Sequence, residues 1–138
     1  DEYPRMSVCA TSCHDTSTLR GLWKESDFDR DLYWSHAQLP GKAPEEITPS
    51  VARQILMHVY SANSLFCILP LQDYFALSAS LSKCAPETER VNIPGTVGWA
   101  NWCYRMPCSV EELMDYSSLS SDIRMLVDAR KRRPMWKI

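Results

Sequence analysis

The sequence predicts an α/β fold built on parallel strands, and three observations point to it. Two apolar runs of strand length, residues 6–10 and 65–69, are separated by segments of helical patterning. Each run leads into polar residues, His14-Asp15 after the first and Gln72-Asp73 after the second. A parallel pair joined by a helical crossover sets both polar clusters on one rim, the end of the strands where α/β folds place chemistry. Two parallel strands require neighbours and a covering layer on each face, so the chain is expected to form one end of a larger barrel or sheet.

Taken in order, Met6-Ser7-Val8-Cys9-Ala10 reads as a short buried strand, and residues 11–18 as the polar loop after it. Residues 19–38 read as helical in part, because Leu19, Leu22, Trp23, Phe28, Leu32 and Tyr33 fall near helical spacing with a break at Ser26. Pro40, Gly41 and Pro44 mark a loop. A well-signalled helix follows: Thr48 suits the N-cap, Pro49 the first helical position, and Val51, Ile55, Leu56, Val59 and Tyr60 make one apolar stripe. The run 65–69 is uninterruptedly apolar, as expected of a strand covered on both faces, and Pro70 stops it. Residues 90–102 form a loop punctuated by Pro94, Gly95 and Gly98. Ser109 with Glu112 is a capping box opening a helix to about Tyr116. A last helix is expected from about Ser121 to Lys131, with Ile123, Leu126 and Val127 inward. The basic run Arg130-Lys131-Arg132-Arg133 at its end suits the helix dipole and reads as a solvated terminus.

Composition narrows the function classes. A hydrophobic content of 45% with a net charge of -2 describes a globular protein, neither a disordered chain nor a polyanion binder, so no nucleic-acid partner is expected. No apolar run nears the roughly 20 residues that span a bilayer, and no leader pattern is visible, so no membrane partner is expected. Three of the six cysteines, Cys9, Cys67 and Cys103, sit in or beside apolar segments, where a thiol behaves as a small hydrophobe. The spacing of Cys9, Cys13 and His14 with Cys103 or Cys108 matches no common zinc pattern, and there is no C-x-x-C pair. Reduced thiols, a cytoplasmic location, and neither metal nor cofactor are the expectation. The five tryptophans read as packing groups before sugar or base platforms.

The segment Thr11-Ser12-Cys13-His14-Asp15-Thr16-Ser17-Thr18-Leu19-Arg20-Gly21-Leu22-Trp23 resembles the signature T-x-x-H-D-x-x-T-L-R-G-x-W of the 4-α-glucanotransferases, the amylomaltases or disproportionating enzymes of the α-amylase clan. Two further blocks match in order. Leu69-Pro70-Leu71-Gln72-Asp73 resembles the family's L-P-L-Q-D, and Arg90-Val91-Asn92-Ile93-Pro94-Gly95-Thr96-Val97, followed by Asn101-Trp102 and Arg105, resembles its R-x-N-x-P-G-T and N-W-x-x-R. The wording around His14-Asp15 looks nearest to the large cytosolic disproportionating enzymes that also carry starch-binding domains.

The resemblance implies a (β/α)8 barrel whose last two β/α units, strands 7 and 8 with flanking helices, are present here. Residues 1–138 would then be the C-terminal portion of a catalytic barrel and not a complete domain. It implies transfer of an α-1,4-glucan segment to a maltooligosaccharide or glucose acceptor with retention. That chemistry uses a nucleophilic carboxylate and an acid/base carboxyl about 5 Å apart, passing through an oxocarbenium-like state. By the motif, Asp15 is a third carboxylate that holds the donor sugar's hydroxyls and stabilises that state, and His14 hydrogen-bonds the same sugar. Asn92 matches a residue lining the sugar groove. Gln72 is a substrate-binding candidate, and Gln72 and Asp73 orient the loop, touch substrate, or, no less readily, serve a structural role alone. Arg20 reads as structural, pairing with an acidic group or a neighbouring loop; Trp23 and Trp102 read as packing; His36 and His58 have no role.

In the family the nucleophilic Asp and acid/base Glu lie upstream of the His-Asp block. Only 14 residues precede Asp15, and the carboxyl pair among them, Asp1 and Glu2, matches no motif. The chain is therefore expected to need the upstream part of the same barrel, to be inactive alone, and to oligomerise through open strand edges. The alternative is a non-catalytic carbohydrate-binding or assembly module derived from the same barrel.

Overall fold

Strand β1 (Val8–Cys9) and strand β2 (Phe66–Cys67) run parallel, Val8 opposite Phe66 and Cys9 opposite Cys67, in a computed structural model that describes residues 3–131. Asp1, Glu2, Arg132, Arg133 and Trp136 lie outside the described residues. The ladder continues by one hydrogen bond at each end, Phe66 N to the Ser7 carbonyl (3.2 Å) and Ile68 N to the Cys9 carbonyl (3.0 Å). Both strands are shorter than the five-residue runs that predicted them, since each is paired on one side only.

The expectation that both sheet faces are covered is corrected. Cys9 is buried, its thiol 3.9 Å from the Val59 carbonyl, and Cys67 is half-buried. Val8, Phe66 and Ile68 stay 56%, 56% and 61% exposed. The pleat sends alternate residues to opposite faces, and here one face alone meets helices.

The segment 19–38 resolves into two helices, α1 (Leu19–Leu22) and α2 (Arg30–His36). Each has its own cap: Thr18 accepts a hydrogen bond from Gly21 N and Asp29 from Leu32 N. Between them Trp23, 1% exposed, sits within 5.6–6.1 Å, ring to ring, of Phe28, Tyr33 and Trp34. Helix α3 (Pro49–Tyr60) follows the expected signals, with Thr48 accepting from Val51 N and Pro49 in the first turn. It buries Val51, Ala52, Ile55, Leu56 and Tyr60.

Helix α4 (Leu71–Phe75) and a 3-10 turn (Pro86–Glu89) were not signalled by the sequence. The five residues of α4 are too few for a periodic stripe, and its N-cap is Pro70, which offers no side-chain cap. Helix α5 (Val110–Met114) carries the full Ser109–Glu112 capping box. Helix α6 (Ser117–Lys131) begins four residues before the expected Ser121 and packs on α3 and α4. Among its described side chains Leu119 and Leu126 are buried, Ile123 and Val127 pack beside them, and Asp122 pairs with Arg53 of α3 at 2.6 Å. The core thus lies between the helices and the covered face of the strands.

Candidate functional site

The loop after β1 folds into a tight turn. Thr16 N donates to the Cys13 carbonyl (3.2 Å), and Cys13 N donates to Thr16 Oγ1 (2.9 Å). His14 and Asp15 are the two corner residues, placed where Asp is a favoured turn former. Both side chains are about half exposed, 55% and 48%, with His14 Nε2 3.4 Å from Asp15 Oδ2.

Residues 90–102 close over this turn. Asn92 Nδ2 donates to Asp15 Oδ1 at 2.7 Å, and Asn92 N donates to the His14 carbonyl at 3.0 Å. Arg90 joins the two segments with its whole fork: Nη2 to the Asp15 carbonyl (3.0 Å), Nη1 to Ser17 Oγ (3.0 Å) and Nε to the Asn92 carbonyl (2.9 Å). The Trp102 ring lies 5.2 Å from the His14 ring at 37°. Trp102 takes a left-handed backbone, φ 61°, and its N–H donates to the Val91 carbonyl at 2.7 Å. Asn101 keeps the loop shut, accepting from Ile93 N (3.0 Å) and donating to the Thr96 carbonyl (3.1 Å). The packing role expected for Trp102 is corrected: at 65% exposure it offers an open ring beside His14, whereas Trp23 is buried as expected.

Beneath the turn lie two buried carboxylates. Asp73 of α4, 1% exposed, accepts from the Thr11 hydroxyl, from Ser12 Oγ (3.1 Å) and from Leu19 N (2.7 Å). Burial pushes its carboxyl above the ordinary range, and these three donors pull it part of the way back. Glu89, 2% exposed, accepts from Thr18 Oγ1 (2.9 Å) and pairs with Arg20, whose Nη2 also reaches the Cys84 carbonyl (3.0 Å). The structural pairing expected of Arg20 is therefore observed. Gln72, 8% exposed, donates to the Glu89 carbonyl at 3.4 Å, and so stands below the turn while His14, Asp15 and Asn92 meet at its surface.

A cavity of about 440 Å³ opens beside the turn, lined in part by Ala10, His14, Gln72 and Val91, with Val8 and Ile68 at its sheet end. Among the described residues no group of three or more His, Cys, Asp or Glu side chains is arranged to hold a metal ion. The six cysteines are free thiols. Among the described residues no helix is long and apolar enough to cross a membrane. The arrangement is suited to gripping hydroxyls: a carboxylate, an imidazole, a carboxamide and an aromatic face share one rim. The sequence reading gives Arg90 no role and Trp102 only a packing one, although both lie in the third block. Their link to His14 and Asp15 exists only once the chain brings distant segments together.

A family model described as 4-alpha-glucanotransferase matches residues 1–111, and the chain belongs to that family. A 4-alpha-glucanotransferase of Chlamydia trachomatis serovar D is 36% identical over 126 residues, which are 91% of this chain and 24% of that protein. The 4-alpha-glucanotransferase DPE2 of Oryza sativa subsp. japonica is 33% identical over 132 residues, 95% of this chain and 14% of that protein. An amylomaltase from Streptococcus agalactiae, solved in complex with acarbose, shares the fold at TM-score 0.68 with 21% identity, over 94% of this chain and 23% of that one. The chain thus spans about a quarter or less of the length of these relatives.

Proposed function

We propose that residues 1–138 are the C-terminal part of a 4-α-glucanotransferase barrel, comprising its last two β/α units, and that they grip the donor sugar while the upstream part supplies nucleophile and acid/base. The observation that carries this reading is the meeting of Asp15, His14 and Asn92, from two separate motif blocks, on the rim beyond the parallel strands. A carboxylate held by Asn92 and left half exposed can accept two sugar hydroxyls. Those bonds strengthen as the ring flattens toward the oxocarbenium, so the grip lowers the barrier more than it tightens ground-state binding. His14 binds the same sugar, Trp102 offers a face for the ring, and Gln72 bounds the cavity from below. The substrates would be an α-1,4-glucan and a maltooligosaccharide or glucose acceptor, in a cytoplasmic enzyme.

The test is a maltotriose disproportionation assay on the whole enzyme and on the 138-residue chain. Turnover by the whole enzyme alone is expected; a comparable rate from the short chain overturns the reading. Calorimetric titration of the short chain with maltoheptaose addresses the module reading, which the exposed Trp102 favours. Binding that is lost in Trp102→Ala would support that module, and absence of binding leaves the barrel part.

A further inference from the structure

We propose that Asp73 is a positioning residue of the site, its buried carboxylate bridging both ends of the loop that carries His14 and Asp15 and so setting where the Asp15 carboxylate stands. This rests on the reading of Asp15 as the sugar-gripping group.

The bridge is geometric. One oxygen, Oδ2, takes the hydroxyls of Thr11 and Ser12, which lead out of β1; the other, Oδ1, takes the backbone N–H of Leu19, the first residue of α1. The whole excursion from residue 11 to residue 19 is thereby closed at its base by one side chain. Asp73 itself is 1% exposed and hydrogen-bonds to Thr11, Ser12 and Leu19 rather than to His14 or Asp15, so its effect on a ligand passes through the loop. The tip of the same loop is held from the other side by Arg90 and Asn92. Base and tip are therefore fixed by different elements, α4 and the segment 90–102. Loss of the base anchor leaves the tip attached but free to pivot. A carboxylate suits the task better than any neutral group, because it can accept from three donors at once and has none of its own to satisfy. Helix α4 packs on α6 and Phe75 beside Asp73 is 1% exposed, so the anchor point is seated in the core.

The test compares Thr11→Val, Thr11→Ser, Asp73→Ala and Asp73→Asn in the whole enzyme, with Asp15→Asn alongside. Thr11→Val removes one hydroxyl at constant shape, and a displacement of the gripping carboxylate is expected to lower kcat about tenfold, with KM and melting temperature nearly unchanged. Thr11→Ser restores the hydroxyl and should restore kcat. Asp73→Ala, where folded, is expected to lose about a hundredfold in kcat. Asp73→Asn, whose amide still accepts from Leu19 and can donate to both hydroxyl oxygens, should recover most of that. The proposal is overturned if Thr11→Val keeps its kcat, or if kcat in these variants falls only in proportion to the folded fraction. If Asp15→Asn also retains turnover, the reading of Asp15 is what fails; if Asp15→Asn is dead while Thr11→Val is unaffected, only the positioning role fails.

Discussion

At the scale of single residues, the proposed site separates a half-exposed carboxylate, read as the group that would meet the sugar, from the buried groups around it. Asp15 is half exposed and shares its oxygens between His14 and Asn92. In the whole enzyme Asp15→Asn should lower turnover by about a thousandfold, since it removes charge where charge develops in the transition state, with KM changed far less. Steady-state kinetics on maltotriose check this, and retention of most turnover would remove Asp15 from the mechanism. Arg20 behaves differently, because its guanidinium neutralises Glu89, whose side chain is 3% exposed. Arg20→Ala leaves that carboxylate buried with only the Thr18 hydroxyl and the Cys84 thiol donating side-chain hydrogen bonds to it. The expected cost is about 3 kcal/mol of folding stability, read as a lowered urea midpoint.

At the scale of elements, what the sequence disclosed follows how local each signal is. Helix α3 was legible because its cap, its proline and its stripe all lie within one segment. Thr48→Ala should cost about 1 kcal/mol, again measured by urea unfolding, since it strips the side-chain acceptor from Val51 N. The capping box of α5 was legible for the same reason. Helix α4 was not, because Pro70 caps it without a side-chain bond and five residues complete barely more than a turn. Strand length was overestimated, because an apolar run records where a chain can be buried, while pairing depends on a neighbour elsewhere in the sequence. The motif blocks single out His14, Asp15 and Asn92, and the fold brings those three side chains together. The roles of Arg90 and Trp102 were not legible, since an arginine whose three hydrogen bonds reach two segments and a tryptophan turned outward at φ 61° leave no local pattern.

At the scale of the whole molecule, two properties follow from what is covered and what is not. Met6, Val8, Phe66 and Ile68, on or beside the two strands, are exposed apolar side chains, from 56% to 82% per residue. The 138-residue chain is expected to self-associate in light scattering as concentration rises, and Phe66→Lys to reduce it; a monomer at all concentrations would refute this. The second property is alkaline lability. Burial raises the hydroxyls of Tyr33 and Tyr104 to about 12, and raises Tyr74 further, from an ordinary value of 10.0. The folded chain thus keeps these protons to higher pH than the unfolded one. Their contribution to stability is complete below pH 10 and is lost as pH rises through 12, so the melting temperature should fall across that window. A final consequence comes from the bond between Asn92 and Asp15, which joins positions 77 apart in the chain. Closing so long an excursion costs entropy that no neighbouring turn returns. A chain with every helix formed still lacks the site until those two stretches meet, which makes that one contact a reporter of completed assembly.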